Sequence, residues 1–202
     1  MPNNVQRILG VLLLFLLSPV LLVLAAFVQT TMGRPVIFSQ ERLGKDGQPF
    51  LLVKFRTMTD LRDRNGLPLP DEQRLGRFGR FLRSSSLDEL PELWNVAKGE
   101  MAFVGPRPLP TRYQDRYSDM ESRRNEVLPG LTGWAQVNGR NLITWNQRLA
   151  LDAWYVDHRS VRLDVKILAM TVTRVIKREG ISSPATSTME ELQPWVSRKD
   201  LK

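Results

Sequence analysis

The chain has 202 residues, with 29 Lys and Arg against 21 Asp and Glu, a formal net charge of +8 and one histidine, His158. Because cysteine is absent, disulfides and thiolate metal sites are excluded, and a single histidine excludes zinc motifs built from several. The basic balance favours anionic partners, such as acidic lipid or phosphorylated small molecules, although a solvated basic surface has the same composition. No RNP stretch or zinc finger is present, so nucleic acid is not an expected partner.

The first predicted element is an apolar run from Ile8 to Val28, which only Ser18 interrupts with a clearly polar side chain. A run of about 20 residues has the length of a membrane-spanning helix. It is longer than the apolar part of a signal peptide and lacks an A-x-A cleavage pattern. Pro19 has no amide hydrogen and clashes with the carbonyl of Phe15, so we expect a break or kink at mid-length. The Ser18 hydroxyl can satisfy a backbone group that this break frees.

Two topologies fit this broken segment. Each half has about 10 residues, or roughly 15 Å of helix, which is half the hydrocarbon thickness of a bilayer. A hairpin that enters and leaves on one face is therefore possible, and basic residues on both sides, Arg7 before it and Arg34 and Arg42 after it, suit two cytoplasmic ends. A kinked helix that spans the membrane fits the segment equally well.

The rest of the chain is predicted to be mainly α with a small β-hairpin. Apolar and β-branched runs on either side of GKDGQ predict the hairpin within residues 36–58. Helical spacing follows in RLGRFGRFLRS, and LDELPELWNVAKG has a helix start and a stop at Gly99. The Gly-rich LPGLTGWAQVNGRN is expected to be irregular.

Two further helices are predicted over residues 144–160 and from Val161 to Gly180. The second has an apolar face, formed by Leu163, Ile167, Leu168, Val172 and Val175. Such a face most often packs on a core, but a basic amphipathic helix on a membrane surface has the same pattern. We therefore divide the chain into a membrane segment (1–32), a globular domain (33–181) and a polar tail (182–202) that is expected to be mobile.

The most informative stretch is RSSSLDELPELWNVAKGEMAFVGPRPLP, in which Asp88 and Glu89 are adjacent acids at a predicted helix N-terminus. A structural role explains them well, because Ser86-x-x-Glu89 matches a capping box and Pro91 suits a first helical turn. A chemical role is the alternative, since two carboxylates with a divalent metal can steer a phosphoryl group, one as nucleophile and the other as metal ligand or base. The pattern alone favours the cap.

Cations that could bind phosphate flank these acids, and they are Lys54, Arg56, Arg77, Arg80, Arg83 and Arg107. The planar fork of arginine matches phosphate oxygens and stacks on flat bases. Pro106 and Pro108 hold Arg107 in a stiff, extended segment, which lowers the entropic cost of binding with it. Taken singly, each of these cations would be an ordinary surface charge.

Four blocks in order carry a resemblance to a known family, and they are KFRTM, SLDELPELWNV, GEMAFVGPRP and PGLTGWAQVNGRN. Together they resemble the bacterial sugar transferases. More narrowly, the chain is similar to the small monotopic phosphoglycosyl transferases, which start glycan assembly on polyprenyl phosphate. The resemblance runs from the apolar segment to about residue 180.

The resemblance implies a fold and a location. Family members place a re-entrant helix, broken at a Ser-Pro pair, in the cytoplasmic leaflet of the bacterial inner membrane, and Ser18 and Pro19 occupy that position here. The chain would then be monotopic, with a globular catalytic domain and amphipathic surface helices at the head-group level.

It also implies a reaction. Asp88 would attack the β-phosphate of a UDP-sugar, release UMP and hold the sugar phosphate as an acyl phosphate, which polyprenyl phosphate then attacks. Glu89 would bind Mg²⁺ with Asp88 or manage the proton. Pro106, Arg107 and Pro108 would contact the uridine diphosphate, while phosphate contacts are expected at Lys54, Arg56, Arg83 and Arg140.

An N-acetylated amino sugar is the expected sugar, ahead of hexoses such as glucose or galactose. The alternative function is a membrane-anchored basic protein that binds acidic lipid or nucleic acid without catalysis. In that case, Asp88 and Glu89 would only cap a helix.

Overall fold

The computed structural model describes residues 1–139, 143–177 and 191–198. Its strands are β1 (Ile37–Leu43), β2 (Pro49–Phe55), β3 (Ala102–Val104) and β4 (Gly130–Thr132). Its α-helices are α1 (Asn3–Met32), α2 (Asp71–Arg74), α3 (Arg77–Ser85), α4 (Leu93–Lys98), α5 (Asp119–Ser122), α6 (Trp134–Asn138), α7 (Trp145–His158), α8 (Val161–Lys177) and α9 (Trp195–Arg198). Short 3₁₀ helices lie at Lys45–Gly47, Leu87–Glu92, Thr111–Arg116 and Arg123–Glu126. The predicted mainly helical fold is confirmed, and a second small sheet adds to the predicted hairpin.

Helix α1 keeps a helical backbone through the Ser-Pro pair, so Pro19 does not interrupt the secondary structure. A proline at position 19 leaves the carbonyl of Phe15 without its usual amide donor. The Ser18 hydroxyl donates to that carbonyl at 2.7 Å, as predicted. The pair therefore supplies its own replacement hydrogen bond inside an apolar helix.

Both ends of α1 contact the globular domain, while many side chains in its middle are exposed. Near the first end, the amide of Phe103 donates to Gln6 Oε1 at 2.9 Å. Near the second end, Val28 is fully buried in a cluster with Leu82. Between them, Phe15 is 83% exposed. The helix is long and apolar enough to cross a membrane, and only 11% of its most apolar stretch is buried within the protein.

The predicted hairpin is confirmed, with β1 and β2 antiparallel and Ile37 opposite Phe55. Asn95 of α4 binds the outer edge of β2 although it is fully buried. Its Oδ1 accepts from the Val53 amide at 3.2 Å and its Nδ2 donates to the Leu51 carbonyl at 2.7 Å. This side chain replaces a neighbouring strand and fixes α4 beside the hairpin.

The Gly-rich block is not irregular, and that prediction was wrong. Strand β4 pairs in parallel with β3, and α6 follows directly. Glycine is needed here for close approach rather than for flexibility, because a Cβ on Gly130 would lie 2.1 Å from the amide nitrogen of Gly105. A three-residue strand is too short to show the alternation that identifies strands in a sequence.

Helices α7 and α8 confirm the two predicted helices. Ile167 of α8 is fully buried against the core, with Leu163 and Leu168 packed beside it. Val172 is 59% exposed and Val175 37%, so the core packing expected of this face does not reach its C-terminal part. The predicted end at Gly180 lies outside the described residues.

The predicted mobile tail is wrong for residues 191–198, which pack on the domain. Leu192 is fully buried, and Arg198 is only 4% exposed. The Arg198 guanidinium pairs with Glu121 at 2.9 Å. A buried leucine and ion pairs at Glu191 and Arg198 anchor this segment, and they depend on distant partners that local hydropathy does not reveal. The boundaries of the three predicted segments stay a prediction.

Candidate active site

A cleft of about 810 Å³ lies between the hairpin, the segment that carries Asp88, the segment around Arg107 and helices α7 and α8. Among the described residues, its lining contains nine basic side chains, namely Arg42, Lys54, Arg56, Arg74, Arg83, Arg107, Arg112, Arg148 and Arg174. The acidic side chains in the lining are Asp60, Asp71, Asp88 and Glu89. A cleft with this balance attracts anions, and phosphate above all.

The acidic pair lies in the 3₁₀ helix Leu87–Glu92, directly after a sharp turn at Ser86. Ser86 has a φ of 57°, and its side chain makes no capping hydrogen bond to this helix. The capping box predicted from the pattern is therefore wrong, since Ser86 has left-handed backbone angles whereas an N-cap residue is typically extended. Asp88 is 5% exposed and lies on the cleft wall.

Burial sets the acidity of Asp88. Removal from water raises its pKa from 3.8 to about 6, and the negative charge of Glu89 adds to the effect. The positive charges of Lys54, Arg107 and Arg83 act in the opposite direction. The carboxylate is thus ionised at neutral pH but more basic than an exposed aspartate, which suits a nucleophile.

Strand β2 and helix α3 supply two of the cations that face Asp88. Burial lowers the pKa of Lys54, and the charge of Asp88 opposes that change. Arg83 donates from Nε to Thr57 Oγ1 at 3.0 Å. Gly79 permits this approach, since a Cβ there would lie 2.0 Å from the Thr57 carbonyl oxygen.

Arg107 forms an ion pair with Glu89, and this charge is the main cause of the raised pKa of Arg107. The surrounding backbone is fixed on both sides of it. The amide of Gly130 donates to the Pro106 carbonyl at 3.0 Å, and the amide of Leu43 donates to the Leu109 carbonyl at 2.8 Å. The two motif blocks GPRP and PGLTG therefore pack against each other and orient one arginine toward the acidic pair.

Sequence reasoning missed Glu92, a third acid on the same 3₁₀ helix. It is 2% exposed, and its Oε1 has no hydrogen-bond partner. Burial, with Glu89 nearby, raises its pKa from 4.5 to about 8. Its spacing from Asp88 and Glu89 places it close to them within a helical turn, which is the signal that could have identified it.

The structure brings most of the predicted binding residues together, since Lys54, Arg83, Arg107 and Pro108 all line the cleft. Arg56 also lines it, although its guanidinium donates to the carbonyls of Met58 and Arg34.

Pro106 is buried outside the cleft lining, and its carbonyl accepts a hydrogen bond from the amide of Gly130. Its contact with the substrate stays a prediction. Arg77 and Arg80 also lie outside the lining, because they are on the exposed side of α3. Arg140 lies outside the described residues. The places of Pro106, Arg77 and Arg80 depend on which way a loop or helix faces, which sequence spacing does not give.

An aromatic wall on the far side of the cleft was not predicted. Tyr113 and Trp145 meet edge to face, with ring centroids 5.9 Å apart. Guanidinium groups lie over both rings, with Arg112 5.1 Å from the centroid of Tyr113 and Arg148 5.2 Å from that of Trp145. Flat, electron-rich and cationic surfaces of this kind can hold a planar base beside its phosphates.

The donor set fits Mg²⁺ in one particular manner. Within residues 1–139, 143–177 and 191–198, no three acidic or imidazole side chains are grouped to hold a metal ion by themselves. Mg²⁺ commonly binds through one or two carboxylates and completes its octahedron with water and substrate phosphates. Asp88 and Glu89 are adjacent, and burial together with the negative charge of Glu89 raises the pKa of Asp88, an effect that a bound cation would oppose.

The apolar helix α1, the basic cleft and the buried Asp88 all lie in the part of the chain that one protein-family model matches. The family model described as bacterial sugar transferase matches residues 3–178, and the chain belongs to that family. The resemblance found in the motif blocks is thereby confirmed.

Three relatives have names that are more specific than the family description or match more of the chain's length. The chain is 51% identical over 181 residues to the "Uncharacterized sugar transferase EpsL" of Bacillus subtilis (strain 168), covering 90% of each chain. It is 41% identical over 175 residues to the UDP-glucose:undecaprenyl-phosphate glucose-1-phosphate transferase of Klebsiella pneumoniae. It is 39% identical over 182 residues to the UDP-galactose-lipid carrier transferase of Erwinia amylovora. The last two matches cover 82% of this chain but only 38% of those relatives.

Proposed function

We propose that this protein transfers a sugar 1-phosphate from a UDP-sugar to polyprenyl phosphate at the cytoplasmic face of a bacterial inner membrane. The observation that best supports this proposal is Asp88, a buried carboxylate with a raised pKa on the wall of a basic cleft. The name of the Klebsiella relative gives that protein UDP-glucose and undecaprenyl phosphate as substrates. Membership of the sugar transferase family supports the general reaction for this chain.

In the proposed first half-reaction, an oxygen of Asp88 attacks the β-phosphorus of the UDP-sugar. The bond from this phosphorus to the bridging oxygen breaks, UMP leaves with that oxygen, and the sugar phosphate remains on Asp88 as an acyl phosphate. In the second half-reaction, an oxygen of polyprenyl phosphate attacks the same phosphorus and releases the Asp88 carboxylate. Each step then brings only one large anionic substrate to the site.

The cations around Asp88 support phosphoryl transfer. Lys54, Arg83 and Arg107 already act on the charge of Asp88, so they are near enough to act on a phosphate that reacts with it. Their positive charge reduces the repulsion between the carboxylate and the diphosphate, and it stabilises charge on the departing UMP. Glu89 keeps Arg107 oriented before the substrate binds.

Mg²⁺ would be held by Glu89 and Asp88 together with phosphate oxygens of the substrate. When bound there, it would neutralise phosphate charge and polarise the bond to the leaving group. The supporting observation is the adjacent pair of carboxylates, whose mutual repulsion contributes to the raised pKa of Asp88.

The contacts of α1 support a re-entrant topology. Gln6 and Val28, near its two ends, both contact the same globular domain, while Phe15 in the middle is exposed. A straight helix of this length would extend about 45 Å and would separate its ends across a bilayer. In the proposed topology, the middle of α1 enters the lipid and both ends stay with the domain.

Single cysteines at residues 4 and 40 test this topology, because the native chain contains none. An impermeant thiol reagent added to intact cells should label neither position, and both should react after lysis. Labelling of residue 4 from outside would establish the spanning alternative instead.

The first experiment on function is UMP release from a panel of UDP-sugars by purified protein in detergent. Undecaprenyl phosphate and Mg²⁺ are each added and omitted, and Asp88→Asn is run beside the native protein. The panel includes N-acetylated amino sugars, which the sequence resemblance favours, and glucose and galactose, which the names of relatives contain.

Metal-dependent UMP release by the native protein with one sugar, and none by Asp88→Asn, is the expected result. A covalent adduct of one sugar phosphate in the intact mass would support the aspartyl intermediate. A folded protein that releases no UMP but binds acidic lipid vesicles would instead favour the non-catalytic, membrane-anchored alternative.

A further inference from the structure

A buried ion pair outside the cleft joins the 3₁₀ helix Arg123–Glu126 to helix α7. Arg124 donates to Asp152 Oδ2 from Nε at 3.1 Å and from Nη2 at 2.9 Å. The two side chains are 2% and 3% exposed. Neither of them lines the cleft, so neither can touch a substrate there.

The same guanidinium reaches the segment that carries Arg107. Arg124 Nη2 donates to the backbone carbonyl of Arg107 at 2.5 Å. Residues 106 and 108 are both proline, so they offer no amide hydrogen for anchoring this segment. The anchors already described hold Pro106 and Leu109, and the bond from Arg124 fixes the residue between them.

Stability alone explains this pair poorly. A buried ion pair loses the hydration of both charges, and well-packed apolar residues of similar size often stabilise a protein as much or more. The planar fork of Arg124 does something that an apolar residue cannot do, because it binds a carboxylate and a carbonyl at once in fixed geometry. A lysine at this position would keep the charge but lose that simultaneous geometry.

We propose that Arg124 and Asp152 form a positioning pair that sets Arg107 against Glu89 and the substrate diphosphate. Asp152 orients the guanidinium of Arg124, Arg124 holds the carbonyl of Arg107, and the side chain of Arg107 then meets Glu89. The proposal rests on the proposed function, since it assigns Arg107 to the diphosphate of that same reaction. It adds a determinant of substrate affinity that lies behind the cleft wall.

Arg124→Lys tests the pair, with Arg198→Lys as a matched control. Arg198 is an equally buried arginine, paired with Glu121 at 2.9 Å, and it makes no bond to the Arg107 segment. We expect the melting temperature to fall in both variants. The kcat/KM for UMP release should fall only in Arg124→Lys, by roughly ten- to a hundredfold, as for a misplaced binding group.

A double-variant cycle separates positioning from a general effect on the fold. In an Arg107→Met background, Arg124→Lys should lower kcat/KM no further, because the residue through which it acts is gone. An undiminished effect in that background, or an equal loss in Arg198→Lys, would overturn the proposal.

A binding measurement keeps this test separate from the fate of the proposed function. UDP is titrated calorimetrically into Asp88→Asn with and without Arg124→Lys. Weaker UDP binding with Arg124→Lys supports the positioning pair even if the native protein releases no UMP from any sugar. Unchanged UDP affinity, or no UDP binding at all, counts against it.

Discussion

Two halves of one short segment bury polar groups in opposite ways. The 3₁₀ helix Leu87–Glu92 carries the buried acids Asp88 and Glu92, whose pKa values are raised to about 6 and about 8. Helix α4 follows it directly and carries the buried amide of Asn95, which hydrogen bonds to β2 through both its oxygen and its nitrogen. In the first half, burial disfavours the charged form of the two acids. In the second half, a neutral amide is buried with hydrogen-bond partners for both its oxygen and its nitrogen.

The difference distinguishes a buried polar group that stabilises the fold from buried acids that are available for chemistry. A buried amide with all its partners contributes to stability, whereas a buried acid without enough partners reduces it. Asn95 also donates to Glu100 Oε2 at 2.7 Å, while Glu92 Oε1 has no partner. Within this segment, the unfavourable burial of charge is therefore found in the 3₁₀ helix Leu87–Glu92, which carries Asp88 on the cleft wall. Helix α4 holds that 3₁₀ helix beside the hairpin through Asn95.

The largest expected effect is that of Asp88→Asn, which removes the proposed nucleophile and should lower sugar-phosphate transfer by about a thousandfold or more. The same change should stabilise the fold above pH 6. The pKa of Asp88 is higher in the folded state than 3.8, so its contribution to stability is lost as pH rises from about 4 to about 6. Thermal unfolding at pH 8 and pH 4 in EDTA measures the gain, up to about 3 kcal/mol at pH 8. Equal stability of the native protein and Asp88→Asn at pH 8 would contradict the idea that the ionised Asp88 carboxylate destabilises the fold.

Asn95→Ala should have the opposite profile, with a large loss of stability and little loss of chemistry. It leaves the Val53 amide and the Leu51 carbonyl without their partner, which should lower the free energy of unfolding by about 2–4 kcal/mol. Denaturant unfolding measures this, and Asn138→Ala, at an exposed asparagine, is the control. Turnover per folded molecule should stay close to that of the native protein. A selective loss of turnover would mean that Asn95 takes part in the chemistry.

The acid limb of the pH profile gives a smaller and graded effect. Asp88 has to be ionised to attack, and its pKa is about 6. We expect kcat/KM for the UDP-sugar to fall about tenfold per pH unit below pH 6 and to be level just above it. A profile that stays level down to pH 5 would show that the carboxylate in use is less buried than Asp88.

The smallest effect on activity is expected for Glu92→Gln. Because the pKa of Glu92 is about 8, the side chain carries a proton at pH 7 and resembles a glutamine. Turnover at pH 7 should change by no more than about twofold. Its raised pKa means that native stability is lost as pH rises from 4.5 to about 8, so the stability advantage of Glu92→Gln should grow over that interval. A variant inactive at pH 7 would place Glu92 among the reacting groups.

Local patterns predicted the elements whose causes are local. The hairpin around Lys45–Gly47, the helices α7 and α8, and the hydroxyl of Ser18 on the Phe15 carbonyl follow from neighbouring residues. Asp88 and Glu89 came from matched motif blocks rather than from periodicity, which favoured a cap. Sequence reasoning could place the acids in one segment, but not their burial or their pKa values.

Most of the errors share one physical reason, which is contact between residues far apart in the chain. Gly130 forms a strand because β3 lies beside it, and the tail packs because Arg198 reaches Glu121. No sequence pattern singled out Arg124, and only the fold brings it to Asp152 and the Arg107 carbonyl. None of these partners is within a helical turn of the residue that it fixes.

The attachment of both ends of α1 to one domain has a consequence for the kind of membrane the protein can use. A spanning helix has to match the full thickness of its bilayer, and proteins with such helices are sorted by that match. A helix that turns within one leaflet, as proposed here, meets only the near head groups and the upper acyl chains. The height of the cleft above the lipid phosphates would then be fixed by the protein itself, and it would stay the same in thin and thick membranes alike.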